Sequence, residues 1–77
     1  MTTEQFLHRI QLDLAAAEIR HGEISVYSRG GGELVATVPT EVDQLAVSQA
    51  LNIRGRVVCR PVHGGVQITQ LWTGGGG

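Results

Sequence analysis

The sequence predicts an α+β fold in the order αββαββ, with four strands in one mixed or antiparallel sheet and the helices on one of its faces. Three observations predict it. An apolar stripe at helical spacing runs through residues 2–22. Two pairs of alternating segments are each interrupted by glycines, Gly30-Gly31-Gly32 in the first and Gly64-Gly65 in the second. A second helical stretch separates the two pairs.

Residues 2–22 read as the first helix. Thr2 and Gln5 have the spacing of a capping box. Phe6, Ile10, Leu14 and Ala17 fall on one face, widened by Leu7. Arg20 and His21 suit a helix C-terminus, and Gly22 can supply a left-handed cap. The next segment alternates, with Ile24 and Val26 on one side and Ser25 and Tyr27 on the other, as a half-buried strand requires. The three glycines then make a hairpin loop needing positive φ, and Leu34, Ala36 and Val38 share one side of the return strand. No helix follows those glycines, so they do not read as a phosphate-binding loop.

Pro39 ends the second strand. Thr40, with Asp43 three residues on, has the spacing of a second N-cap. Residues 42–53 read as a helix whose apolar face is Val42, Leu45, Ala46, Ala50 and Ile53, stopped by Asn52 and Gly55. In the third strand Val57 and Cys59 oppose Arg56, Val58 and Arg60, and Pro61 assigns the strand to a sheet edge. Val66, Ile68 and Trp72 share a face of the fourth strand with Gln70, and a bulge near Gln70 would reconcile that polar residue with the pattern. The two strand–glycine–strand halves form a weak internal repeat in pattern rather than identity.

Seventy-seven residues make one domain, with 1–73 as its body and 74–77 as a flexible glycine tail. The net charge is −1, from six arginines and no lysine against seven acids, which argues against general nucleic-acid partners. Cys59 is the single cysteine, so no internal disulfide can form. The N-terminal residues lack the pattern of a signal peptide, and no apolar run approaches the roughly 20 residues of a membrane span. The expectation is a cytoplasmic protein without a membrane partner.

Catalytic patterning is sparse. His8, His21 and His63 are scattered and share no metal-ligand spacing. Cys59 lies on the inward parity of its strand, as a small buried hydrophobe would, and Asp13 and Glu18 read as solvated helix positions. No metal, cofactor or catalytic residue is expected, and the chain is read as a non-enzyme. The sheet face without helices should carry Ser25, Tyr27, Thr37, Arg56, Arg60, Gln67 and Thr69, with Val35, Val58 and Leu71 as an apolar patch. Tyrosine and arginine are enriched at binding hot spots, so Tyr27, Arg56, Arg60, Gln67 and Thr69 are the candidate partner-binding residues. The leading expectation is a small protein-interaction module, a regulator or inhibitor of a protein complex such as phages and plasmids encode. Arg54, Arg56 and Arg60 beside Tyr27 leave single-stranded RNA binding as a further alternative, and an exposed edge strand leaves a homodimer open.

Two lateral arrangements suit these elements. One places strands one and four side by side and parallel in the centre, with strands two and three as edges; this is the β-grasp. The other has the order 1-2-4-3 with both helices on one face. The run from Gly64 to Gly77, ending LWTGGGG, together with TVPTEVDQL at the junction of strand and helix, resembles the ubiquitin-like proteins and sulfur carriers of β-grasp fold. The resemblance covers residues 23–77 in element order and implies a carrier or modifier whose reactive pair would be Gly76 and Gly77. A helix precedes the first strand, and a tight turn replaces the longer segment those families place between their last two strands.

Overall fold

A computed structural model describes residues 2–52 and 56–71, with Arg56 described by its backbone alone. The elements are α1 (Thr3–Ala16), β1 (Ser25–Arg29), a short turn of 3-10 helix (Gly30–Gly32), β2 (Glu33–Pro39), α2 (Gln44–Ala50), β3 (Arg56–Val62) and β4 (Gly65–Leu71). This is an α+β domain with two helices on one face of an open four-stranded sheet. Ile53, Arg54, Gly55, Trp72 and the glycines 74–77 lie outside the described residues.

All neighbouring strands are antiparallel, in the order β1-β2-β4-β3. The pairing of strands one and four in the centre of the sheet does not occur. Those two strands run in the same direction, but β2 stands between them and is interior rather than an edge. The order is the second of the two expected arrangements. The physical reason is visible in β2, where Leu34, Val35 and Ala36 are buried in succession, as in a strand with neighbours along both of its edges. β1, SVYSR, is polar and exposed at most positions, which suits an edge. β3, with Pro61, forms the other edge as expected. The regular register carries Gln70 opposite both Leu34 and Val57, and Leu71 opposite Arg56, so the expected bulge near Gln70 is absent.

The core lies between the covered sheet face and the helices. Phe6, Ile10 and Leu14 of α1 and Val47 of α2 meet Leu34, Ala36, Val38, Val66 and Ile68, with Ile24 at the margin. Burial of each such side chain contributes about 1.5–3 kcal/mol. The α1 stripe is where its spacing puts it, save that Ala17 is exposed at the helix end. In α2 the fully buried residue is Val47; of the expected face, Val42 and Ala50 pack partly buried against the core, whereas Leu45 is 64% exposed. The helix begins later than expected: Asp43, not Thr40, is the N-cap, its Oδ1 accepting from the Ala46 N–H at 2.9 Å. The Thr40 hydroxyl instead donates to the Arg20 carbonyl at 2.7 Å and fastens the segment after α1 to the end of β2.

The Thr2–Gln5 capping box is present, with both reciprocal bonds made. The C-terminus differs from expectation. Helix α1 stops at Ala16, and Glu18, not Gly22, takes the left-handed conformation, with φ +58°. The Glu18 N–H donates to Ala15 O and the Ile19 N–H to Leu14 O, each at 3.0 Å. This is the Schellman pattern, and Ile19 packs against the core beside it. Asp13, expected in solvent, is only 9% exposed. Its Oδ2 accepts from the Asn52 N–H at 2.8 Å, tying α1 to the chain leaving α2.

Two outcomes follow from these contacts. Asp13→Ala leaves the Asn52 N–H without its carboxylate and is expected to lower unfolding stability by about 1.5–3 kcal/mol, read from urea midpoints. Glu18→Gly relieves a left-handed conformation unfavourable to side-chain-bearing residues. It is expected to raise stability by about 1 kcal/mol, while Glu18→Val lowers it.

Candidate protein-binding face

The sheet face opposite the helices is built by strand alternation. β1 offers Ser25, Tyr27 and Arg29; β2 offers Glu33, Val35 and Thr37; β4 offers Gln67, Thr69 and Leu71; and β3 offers Val58 and Arg60. The register aligns them in rows. Tyr27, Val35, Thr69 and Val58 form one row across all four strands. Ser25, Thr37, Gln67 and Arg60 form the next.

The first row is the apolar one. Val35 is fully buried although it belongs to the open face and lies outside the cluster beneath the helices. Its flanking neighbours in the row are Tyr27 and Thr69. Tyr27 is 47% exposed and Val58 49% exposed, so an aromatic and an aliphatic side chain stand half out of the face at either end of the row. The second row is polar. At the hairpin end Arg29 lies 3.5 Å from Glu33, with its Nη2 3.4 Å from the Tyr27 hydroxyl. These are long, exposed contacts that add little stability.

Of the expected binding residues, Tyr27, Arg60, Gln67 and Thr69 thus share one face. Arg56 pairs through its backbone with Leu71 at the end of the same sheet. Arg54 and the proposed reactive pair Gly76 and Gly77 lie outside the described residues.

Cys59 is on the covered face of β3, half-buried against the core cluster. Burial pushes its thiol above the usual value, opposed by a hydrogen bond with Ser48. A thiol held protonated is a poor nucleophile. The histidines do not converge on it or on each other. His8 is exposed on α1 and His63 is exposed in the β3–β4 turn. The His21 Nδ1 is 2.8 Å from Gly22 O, so that nitrogen carries the proton and donates. Among the described residues no group of three or more His, Cys, Asp or Glu side chains could hold a metal ion, and no helix is long and apolar enough to cross a membrane.

One feature escapes reading from sequence. Residues 17–22 and 39–42, with Gly64, line an open groove of about 930 Å³. It exists because α1 ends early and the chain returns across the end of β2, fixed by Gly22 N–H to Pro39 O at 2.7 Å and Thr40 N–H to Gly64 O at 3.2 Å. The charged residues on its rim, Glu18, Arg20, His21 and Glu41, are all exposed. Among the described residues no hydrogen bond pairs a histidine with a hydroxyl or thiol there. Its only sequence signal is the Thr40 hydroxyl, whose capping role passes to Asp43.

Compared with protein-family models, curated proteins and solved structures, the chain matches none.

The buried thiol generates a pH dependence. Its folded-state pKa is raised, so its stabilising contribution is complete below the unfolded thiol's pKa, near 8.5, and is lost as pH rises through the folded value. Urea midpoints are expected to fall above about pH 8.5, and to fall less steeply in Cys59→Ala. Alkylation of Cys59 at pH 8 should be slow in the native protein and rapid in urea.

Proposed function

We propose that the protein is a small non-enzymatic interaction module that binds a protein partner through the open face of its sheet, acting as a regulator or inhibitor of that partner. The observation that carries this reading is the row Tyr27–Val35–Thr69–Val58. It sets a half-exposed tyrosine and a half-exposed valine around a valine whose burial needs no helix. An apolar centre with a polar border is the anatomy of a protein interface. Gln67, Thr37, Ser25 and Arg60 supply that border in the adjacent row. Tyr27 is the residue type that most often anchors such contacts.

The carrier reading requires the glycines at 74–77 and would act through Gly76 and Gly77. Support for it is limited to the interior position of β4, which leads directly toward that tail. The two readings part on two variants. Affinity capture from the source cells should retrieve the same protein with the intact chain and with a chain lacking residues 74–77. Tyr27→Ala is expected to weaken that binding about 10–30-fold, and Arg56→Ala with Arg60→Ala to weaken it further. Loss of binding on removal of the glycines, with Tyr27→Ala unchanged, would overturn the face and favour the carrier.

A further inference from the structure

The two edges of the sheet are treated differently. At β3, Pro61 removes a backbone donor, arginines stand at positions 56 and 60, and α2 packs alongside. These are devices that discourage another strand from adding. β1 lacks the proline, although it too carries an arginine, Arg29, and packs against a helix, α1. It pairs on one side only, with β2, and contains neither proline nor lysine. Ser25, Tyr27, Ser28 and Arg29 are exposed. Before the strand the chain is already tied to β2, since Gly22 N–H donates to Pro39 O. Along Ser25–Arg29 the backbone N–H and C=O groups that do not pair with β2 are left facing outward at alternate residues.

We propose that this edge pairs antiparallel with the same edge of a second copy of the chain, with Val26 on the two-fold axis. The register is chosen by charge. Centred on Val26, the pairing sets Val26 opposite Val26 of the second copy, Ser25 opposite Tyr27, Ile24 opposite Ser28, and Glu23 opposite Arg29. Both ends of the seam then carry opposite charges, because the two-fold repeats the Glu23–Arg29 pair. Centred on Tyr27, the pairing would leave Glu23 outside the seam and set Arg29 against Ser25. Centred on Ser25, it would set Arg29 against His21. Like charges directly opposite are destabilising and opposite charges stabilising in a strand pair. Ser25, Tyr27 and Arg29 share the open face and Val26 and Ser28 the covered one, Ile24 belongs to the core beneath the covered face, and carrying the alternation back one residue sets Glu23 with the first group, so the seam matches face to face. The Arg29 contacts within the chain, at 3.4 and 3.5 Å, are exposed and leave its guanidinium able to turn to the second copy. The product is an eight-stranded sheet in which two open faces are continuous. This self-pairing stands independently of the partner proposed for that face.

The register makes a specific prediction. In sedimentation equilibrium the intact chain should dimerise reversibly. E23R sets arginine against arginine, and R29E sets glutamate against glutamate, so each variant alone should remain monomeric under the same conditions. Mixed in equal amounts, they present opposite charges at both ends of the seam. They should then form a heterodimer, identifiable by mass, at a concentration about tenfold or more below that at which either associates alone. Circular dichroism reports that each variant has folded. As a second measurement, outward-facing amides of residues 24–28 in the unaltered chain should exchange more slowly at high than at low protein concentration. A monomer at millimolar concentration, a dimer indifferent to both reversals, a mixture that stays monomeric, or amide exchange independent of concentration would each overturn the proposal.

Discussion

The antiparallel pairing of β2 with β4 is the constraint on which the rest of the molecule depends. Each hairpin is local, closed by its own glycine turn, and neither buries enough surface alone to be stable. Joining them through β2 and β4 makes one sheet and leaves β1 and β3 as its edges. The junction is tightest at Pro39 opposite Gly65. A methyl group at Gly65 would run into the Val38 carbonyl oxygen and lie 2.9 Å from the Pro39 Cα, so the close approach requires glycine there. That meeting point also fixes Gly64, whose carbonyl accepts from Thr40 N–H, and hence the path by which the chain leaves β2 for α2.

With the sheet order set, the helices have little freedom. Both must cover the face that carries Leu34, Ala36, Val38, Val66 and Ile68. α1 brings a well-formed stripe to this face, whereas α2 is only seven residues long and buries chiefly Val47. So short a helix is marginal by itself. It is held by the Asp43 cap at its start and by Asp13 of α1 on the chain just beyond its end. The buried carboxylate thus joins the two helices through backbone rather than through side-chain packing.

The same order produces the open face. Because β2 and β4 are central, Val35 and Thr69 occupy the middle of a row whose ends, Tyr27 and Val58, fall on the edge strands and stay half exposed. A β-grasp order would have placed Tyr27 beside strand four and Val35 at an edge. The functional reading therefore rests on strand order as much as on residue identity. The edges differ in their backbone: Pro61 removes a donor from β3, while β1 contains no proline.

The sequence by itself determined which segments are helix or strand, which turns need glycine, and which side of each strand faces inward. Alternation and helical spacing are local properties, and parity alone places Tyr27, Arg60, Gln67 and Thr69 on one face. It did not determine the neighbours of each strand, because backbone hydrogen bonds are chemically alike and favour no partner by sequence. The run of Leu34, Val35 and Ala36 was the available signal that β2 is interior. Only the tertiary structure decided that order, the end of α1 at Glu18 rather than Gly22, and the cap at Asp43 rather than Thr40. It also decided the burial of Asp13. Each of these depends on a contact across the fold: Ile19 against the core, Thr40 on the Arg20 carbonyl, Asp13 on Asn52. Between residues so distant in the chain, local pattern carries no information, and packing alone selects the outcome.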